Sequence, residues 1–210
     1  MSFVTSLFPQ KIKTFFKKFR KFNALNNLDK KMLGYINFNN GFFIECGAND
    51  GVDQSNTWYY EKYLNWNGVL IEPLKKQFNE LKKNRSNKNY FFNNALTSSE
   101  SINSLNLMEK NLVSRIIEES DKDLHYVKVK SVTLTKILDE ISAPFLIDFF
   151  SLDVEGYEYE IIKGIDFDKY NFKYFLIETS NELVIDYLKG KNYLLLKKLS
   201  NHDLLFKYQV

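Results

Sequence analysis

The order of apolar and polar residues changes character near residue 40. In residues 1–40 the apolar side chains recur at helical spacing, and lysines fill the positions between them. This pattern predicts one amphipathic helix with a basic face. The recurring apolar residues are Ile12, Phe15, Phe16, Phe19 and Phe22. From Gly41 onward, short apolar runs alternate with helical stretches, which is typical of parallel strands covered by helices on both faces.

These runs define the predicted elements of the second part of the chain. The predicted strands are 42–46, 68–71, 90–93, 145–152 and 174–178. The predicted helices lie near 57–63, 74–83, 134–141, 157–164 and 182–189. Segments 193–198 and 204–208 flank a polar turn and are predicted to form an antiparallel hairpin. The length suits one domain, so we predict an α/β fold with a Rossmann-like, mostly parallel sheet over 41–210, preceded by the basic segment 1–40.

The net charge of +3 hides an asymmetry. Residues 1–31 hold eight Lys or Arg against Asp29 alone, a net +7, which leaves −4 for the remainder. A basic face beside an aromatic one suits anionic headgroups, so one hypothesis for the N-terminal helix is peripheral contact with a membrane. The alternative is docking on its own domain or on a second subunit of a homo-oligomer. The acidic body argues against a nucleic-acid partner, which usually needs a basic face around the site.

Cysteine content and hydropathy bear on the cellular setting. Cys46 is the only cysteine and falls in a predicted buried strand, so we expect a packed thiol in a reducing, cytoplasmic environment. No apolar run reaches the roughly 18 residues that a membrane span needs. The N-terminus lacks the apolar stretch of a signal peptide. Any membrane association is therefore expected to be peripheral, through the N-terminal helix.

The strongest local motif is the strand 42–46 and the turn that follows it. Glu45, Gly47 and Gly51 give the spacing E-x-G-x-x-x-G. The glycines let the backbone approach a ligand closely. A dinucleotide site prefers G-x-G-x-x-G, but Asn49 and Val52 occupy its second and third glycine positions. The motif therefore favours a nucleoside without a pyrophosphate, with an ammonium group facing the Glu45 carboxylate.

Two further strands end in residues suited to a nucleoside. Glu72, followed by Pro73, ends the second strand, where a carboxylate can accept two hydrogen bonds from a ribose diol. Ligands of open α/β sheets bind at this edge. The third strand ends near Ala95, a small residue that suits an adenine pocket. The alternative for Glu72 is a solvated acid at a strand end.

The fourth predicted strand is followed directly by the acids Asp153 and Glu155. Both should lie at the same carboxyl edge of the sheet, where one of them can take the proton from an attacking hydroxyl, a contribution of about 10²–10⁴ in rate. A divalent metal ion held by the two acids is the less favoured alternative, because no histidine or further acid lies next to them in the sequence.

Several of these segments resemble the ordered motifs of FkbM-family methyltransferases, a branch of the class I S-adenosylmethionine-dependent enzymes. The run FIECGANDGVDQSNTWYYEKYLNWNGVLIEP resembles the family's N-terminal signature, and VKSVTLTKIL, SLDVEGYEYEIIKG and YFLIET resemble its later motifs. The likeness spans roughly 41–208. It implies a seven-stranded sheet with a final hairpin, S-adenosylmethionine as cofactor, and methyl transfer, often to sugars or secondary metabolites.

The resemblance also implies roles for residues. Asp153 and Glu155 match the family's DVEG motif and would be catalytic. Glu45 stands where many relatives carry Asp, which keeps the charge but changes the reach. Residues 55–57 follow the turn, and their alternative role is capping of the first helix. The implied cofactor-binding residues are Glu45, Gly47, Ala48, Asn49, Gly51, Ser55, Asn56, Thr57, Glu72, Pro73, Ala95 and Asp153.

The stretch 98–130 is longer than a simple connection needs, and such excursions often shape an acceptor pocket. Its candidate acceptor-binding residues are Asn103, Arg115 and His125; the alternative is a solvated insertion. The leading hypothesis is an O-methyltransferase that acts on a sugar hydroxyl in glycan biosynthesis. Alternatives are methylation of a secondary metabolite or other small molecule, or a non-catalytic nucleotide-binding scaffold. The turn spacing disfavours an NAD-dependent oxidoreductase.

Overall fold

The computed structural model describes residues 16–108, 115–117 and 126–209, with the backbone alone for 115–117. A 3-10 turn at Leu25–Asn27 precedes the first helix. The helices are α1 (Leu28–Met32), α2 (Trp58–Leu64), α3 (Lys75–Asn84), α4 (Leu134–Glu140), α5 (Glu158–Lys163) and α6 (Glu182–Gly190). The strands are β1 (Phe42–Cys46), β2 (Asn67–Ile71), β3 (Tyr90–Phe92), β4 (Ala95–Leu96), β5 (Ser104–Met108), β6 (Arg115–Ile117), β7 (Tyr126–Val132), β8 (Leu146–Leu152), β9 (Asn171–Glu178), β10 (Tyr193–Lys198) and β11 (Asp203–Tyr208).

The main sheet has seven strands in the order β10-β11-β9-β8-β1-β2-β3. Its strands β3, β2, β1, β8 and β9 pair in parallel, while β11 runs antiparallel to both β9 and β10. The predicted α/β fold with a mostly parallel seven-stranded sheet and a terminal hairpin is confirmed. The strand order reverses direction between β1 and β8, which is where open α/β sheets bind their ligands.

The core lies on both faces of the main sheet, because successive side chains of a strand point to opposite sides. Ile44 and Phe150 face one hydrophobic cluster, whereas Phe43 and Phe149 face the other. All four side chains are fully buried. Since burying one such side chain stabilises a fold by about 1.5–3 kcal/mol, the apolar runs of β1 and β8 fix the centre of the sheet firmly.

The N-terminal segment differs from the predicted single helix over the residues that the structure describes. The chain turns at Asn26 and Asn27, both with positive φ, and only the short α1 follows. Leu28, Met32 and Ile36 recur at four-residue spacing and are buried in the same cluster as Phe43. Their burial joins the end of the segment to the domain core, so residue 41 is not a boundary in the packing. Ile12 and Phe15 lie outside the described residues.

Residues 95–132 contain a second sheet that the sequence analysis did not predict. Its order is β4-β7-β5-β6, and β5 pairs antiparallel with both β6 and β7. Leu107, Val129 and Ala95 from this sheet pack together with Leu74 of the main body. The alternation of apolar and polar residues in 126–132 is a strand signal. This signal was missed because most of the segment was assigned to a long connection.

None of the helices in the described part of the chain combines the length and the apolar character that crossing a bilayer requires.

Candidate functional site

A cavity opens at the carboxyl edge of the sheet, over the point where the strand order reverses. It encloses about 910 Å³ of non-protein space, with the solvent of its open mouth included. Its walls come from the ends of β1, β2 and β8 and from the small sheet. The lining residues are Cys46, Gly47, Ala48, Asn49, Asp53, Gln54, Ser55, Glu72, Pro73, Leu74, Gln77, Asn94, Ala95, Leu96, Leu107, Asp153, Val154, Glu155 and Ile161.

The turn after β1 brings main chain close to main chain. Gly47 has a φ of +81°, a region that favours glycine. A Cβ at this position would lie 1.9 Å from the carbonyl oxygen of Asp153, so no other residue fits without moving the backbone. The amide of Asp153 donates to the carbonyl of Cys46 at 3.2 Å. These contacts join the turn after β1 to the end of β8.

Glu72 occupies the tip of β2 and lines the cavity. Its Oε2 accepts from the amide of Asn49 at 2.9 Å, and its Oε1 accepts from the amide of Leu74 at 2.8 Å. Burial raises the pKa of Glu72 to about 7, although the two amide hydrogen bonds act in the opposite direction. Each oxygen has a second lone pair, so the carboxylate can accept hydrogen bonds from the two hydroxyls of a ribose.

The raised pKa of Glu72 predicts pH-dependent binding of a ribose-containing ligand. The ionised carboxylate is the better acceptor, and it is lost as the pH falls through about 7. We therefore expect the affinity for S-adenosylmethionine, measured by calorimetry, to fall several-fold between pH 8 and pH 6. Glu72→Gln should bind weakly at both pH values, with little pH dependence. A wild-type affinity that does not change over this range would contradict the role assigned to Glu72.

Three carboxylates meet at the end of β8: Asp153 and Glu155 line the cavity, whereas Glu178 lies beside them and outside the lining. Oxygens of Asp153, Glu155 and Glu178 lie within 4.8 Å of one another. Burial, then a hydrogen bond and repulsion from Glu178, raise the pKa of Asp153 well above its usual range. Burial and then the charges of Glu178 and Glu158 also raise the pKa of Glu155. The group can accept and hold a proton at neutral pH.

A metal ion was the less favoured alternative because the sequence shows no further acid next to Asp153 and Glu155. In the structure, Glu178 is such an acid. It ends β9, the strand beside β8, and the register pairs Leu152 with Ile177. The parallel strands β8 and β9 therefore place all three acids at the same edge of the sheet. The same rule that placed Asp153 at this edge identifies Glu178, which the sequence analysis left without a role.

Glu45 is not among the residues that line the cavity. Its Oε1 accepts from the amide of Asn56 at 2.7 Å, and its Oε2 accepts from the hydroxyls of Ser55 and Thr57 at 2.9 and 2.6 Å. The side chain is buried. The geometry thus differs from the expectation that this carboxylate faces the ammonium of a ligand. A buried carboxylate needs internal partners, and here these partners are the loop that follows the turn.

Arg85, at the end of α3, holds this loop from the other side. Its guanidinium is fully buried and pairs with Glu45 at 3.2 Å and with Glu61 at 2.7 Å. It also donates to the carbonyl of Gly51 and to the hydroxyl of Thr57. Burial alone would raise the pKa of Glu61, but the charges of Arg85 and Lys62 and the hydrogen bonds from both together hold the pKa below its usual value. Arg85 therefore positions the loop next to the cavity.

The structure brings together most of the predicted site residues. Those that line the cavity are Gly47, Ala48, Asn49, Ser55, Glu72, Pro73, Ala95, Asp153 and Glu155. Glu45, Gly51, Asn56, Thr57 and Asn103 are not in the lining. Ser55 also accepts from the amide of Trp58 at 3.0 Å, whereas Thr57, the N-cap residue of α2, makes no side-chain capping hydrogen bond. The side chain of Arg115 and all of His125 lie outside the described residues, and Asn103 contributes its carbonyl to the amide of Ser131.

Several lining residues were missed by the sequence analysis. Leu107 from the small sheet and Leu74, Leu96 and Ile161 give the cavity an apolar side. Gln54 and Gln77 add polar groups. These residues come from five different segments and follow no local motif. Leu74, Gln77 and Ile161 lie at the starts of helices, a position that could have indicated a place at the edge of the sheet, whereas Leu96 and Leu107 lie in strands of the small sheet that was not predicted.

Comparisons with known proteins identify the family and the fold. The sequence profile of the methyltransferase FkbM domain matches residues 45–195. The methyltransferase FkbM from Methylobacillus flagellatus KT has a similar structure, with a TM-score of 0.53 and 16% identity, over 83% of this chain and 45% of its own. The precorrin-6y C5,15-methyltransferase from Geobacter metallireducens GS-15 aligns with a TM-score of 0.48 and 10% identity, over 90% of this chain and 95% of its own.

The chain thus spans less than half the length of the Methylobacillus structure. A search of curated protein sequences finds no significant match. At 16% identity the likeness to the Methylobacillus structure shows the fold alone, and the profile match over more than two thirds of the chain shows the family. The chain belongs to the FkbM methyltransferase family.

Proposed function

We propose that the protein binds S-adenosylmethionine in the cavity and transfers its methyl group to a hydroxyl oxygen of a sugar in glycan biosynthesis. The observation that carries the proposal is the opposition of two acidic groups across one cavity. Glu72 lies on the side of β2, and the carboxylates of Asp153 and Glu155 lie on the side of β8. Membership of a methyltransferase family supports the reaction type.

The donor side of the cavity fits a nucleoside. Glu72 offers two acceptor oxygens to a ribose diol, and its raised pKa makes their charge sensitive to pH near neutrality. Leu74, Ala95 and Leu107 provide apolar surface for a purine ring. S-adenosylmethionine supplies a methyl group on a positively charged sulfur. The nearby carboxylates suit that charge.

The acceptor side fits the removal of a proton. As an acceptor hydroxyl attacks the methyl carbon, its proton must leave, and an ionised Asp153 can take it. Because the pKa of Asp153 is raised, the carboxylate is a stronger base than an ordinary aspartate. Glu155 follows with a φ of +56° and Gly156 with +102°, which turns the chain sharply at the cavity. The remaining acceleration comes from holding the oxygen in line with the methyl carbon and sulfur.

Calorimetry with S-adenosylmethionine tests the proposal most directly. We expect binding of one equivalent, competition by S-adenosylhomocysteine, and no heat with NAD, since the turn lacks the pyrophosphate-binding glycines. A non-catalytic scaffold that has lost its pocket would give no heat with any of the three. That outcome would refute the proposed function.

The acceptor requires a second experiment. Transfer of labelled methyl groups should be measured with free sugars, nucleotide sugars, lipid-linked glycans and unrelated small alcohols. We expect label on a sugar. Label only on a non-sugar compound would favour the small-molecule alternative. Because Glu178 lies next to the two acids of the cavity wall, the assay should be run with a chelator and with added Mg²⁺. A strict requirement for the ion would assign it the role of organising the acceptor oxygen.

A further inference from the structure

The N-terminal segment 16–25 presents aromatic and basic side chains together. Phe16 and Phe19 are 60% and 74% exposed, and Leu25 is 54% exposed. The cations Lys18, Arg20 and Lys21 on the same segment are exposed as well. In the sequence, residues 11–22 hold six Lys or Arg and no Asp or Glu. An amphipathic basic segment of this kind suits an anionic bilayer surface.

This basic aromatic segment is attached to the wall of the cavity. Lys17 forms an ion pair with Asp53, and Ala24 forms a β-bridge with Gln54. Asp53 and Gln54 both line the cavity. Phe22 stacks on Tyr59 with ring centroids 4.8 Å apart, which fixes the segment on α2. A surface that the segment touches is therefore close to the cavity mouth.

The charge distribution favours one orientation at an anionic surface. Residues 1–31 carry a net +7, whereas the rest of the chain carries −4. An anionic bilayer would attract residues 1–31 and repel the rest of the chain. The N-terminal segment would therefore face the lipid. The attraction extends over about a Debye length, roughly 8–10 Å at physiological ionic strength.

We propose that segment 16–25 binds anionic membrane surfaces and holds the cavity there, so that the methyl acceptor is a sugar carried on a membrane lipid. The choice of acceptor rests on the proposed methyl transfer, whereas membrane binding does not. A bilayer explains the exposed aromatic side chains and the cations together, because the rings enter the headgroup region while the cations meet the lipid phosphates.

Vesicle flotation with the full chain tests the membrane contact. Vesicles of phosphatidylcholine alone should bind weakly, and vesicles that also contain phosphatidylglycerol should bind strongly and lose the protein as salt rises. The variant Lys18→Glu/Arg20→Glu/Lys21→Glu should lower the partition coefficient by at least about a hundredfold, since each cation near the surface contributes about fivefold. Phe16→Ser/Phe19→Ser should weaken binding at unchanged charge.

The matched control reverses three exposed lysines of the terminal hairpin, Lys197→Glu/Lys198→Glu/Lys207→Glu. It changes the net charge equally, so retained binding in this variant shows that the N-terminal segment is responsible. Equal loss of binding in both triple variants, or no binding of the wild type to anionic vesicles, would overturn the proposal. So would a wild-type dimer that the N-terminal triple variant dissociates without any vesicle binding, because the partner would then be a second copy.

Methyl transfer separates this inference from the proposed function. Transfer to a lipid-linked sugar in vesicles should exceed transfer to the free sugar, and the N-terminal triple variant should lose that advantage while keeping its affinity for S-adenosylmethionine. Equal transfer to both sugars would overturn the lipid-linked acceptor and leave the proposed function intact. Vesicle binding without any affinity for S-adenosylmethionine would support the membrane contact and refute the proposed function.

Discussion

Replacement of Asp153 by asparagine should lower turnover by about 10²–10⁴, the usual contribution of a positioned general base. The amide has nearly the same shape but cannot take the proton of the acceptor hydroxyl. Affinity for S-adenosylmethionine, measured by calorimetry, should fall much less than turnover. The raised pKa of Asp153 shows that its ionised form is disfavoured in the folded protein. A neutral amide should therefore leave the thermal stability unchanged or slightly increased.

Two neighbouring substitutions serve as controls for Asp153. Glu155→Gln removes the other candidate base. Turnover that stays unchanged in both Asp153→Asn and Glu155→Gln would exclude both residues as the base. In the wild type, the pH dependence of kcat/KM should show a decline in acid as Asp153 is protonated. Glu178→Gln removes a negative charge that raises the pKa of Asp153, so this decline should move to lower pH. A decline that stays in place would show that Asp153 does not control it.

Replacement of Arg85 by methionine should lower the free energy of unfolding by about 3–5 kcal/mol, because it leaves one buried carboxylate without a cation and the other with only an exposed lysine. These are Glu45 and Glu61, which are 4% and 8% exposed. For a chain of this size the loss corresponds to a decrease in Tm of roughly 6–20 °C. Urea denaturation followed by circular dichroism measures it. Because the pKa of Glu61 is held below its unfolded value of 4.5, the difference from wild type should shrink as pH falls below that value.

Lys62 provides the matched control for Arg85. It contacts the same Glu61 at 3.0 Å, but its side chain is 36% exposed. Exposed ion pairs contribute about 0–1 kcal/mol, so Lys62→Met should have a small effect. The triple variant Arg85→Met/Glu45→Gln/Glu61→Gln should recover part of the stability, since no buried charge then lacks a partner. Equal losses for Arg85→Met and Lys62→Met would show that the buried network is not important for stability.

The main sheet was predictable because its strands are local apolar runs. Residues 42–46 and 68–71 carry enough buried aliphatic and aromatic residues to identify strands without knowledge of their neighbours. The small sheet was not predictable in the same way. Its stability depends on pairing 104–108 with 126–130, whose partners lie 18 to 26 positions apart in the sequence. Such pairing leaves only weak alternation in the sequence. The path of residues 20–40 depends similarly on contacts of Leu28 and Met32 with the core.

The site was predictable as far as the edge of the sheet determines it. Parallel strands place their final residues together, which brought Glu72 and Asp153 to one cavity. The direction of a side chain at a strand end depends on tertiary partners instead. Glu45 turns toward residues 55–57 because Arg85, forty residues away, supplies the charge that makes its burial favourable. No motif near Glu45 encodes that arrangement.

The close approach of Gly47 to the carbonyl of Asp153 also sets how accurately the reactants can be aligned. In the proposed site, the turn after β1 borders the methyl donor and the end of β8 carries Asp153, and these two segments touch through main-chain atoms. In-line transfer tolerates little error, since a displacement of about 1 Å can cost on the order of a hundredfold in rate. The main-chain contact keeps the separation of these two segments constant, whatever acceptor enters.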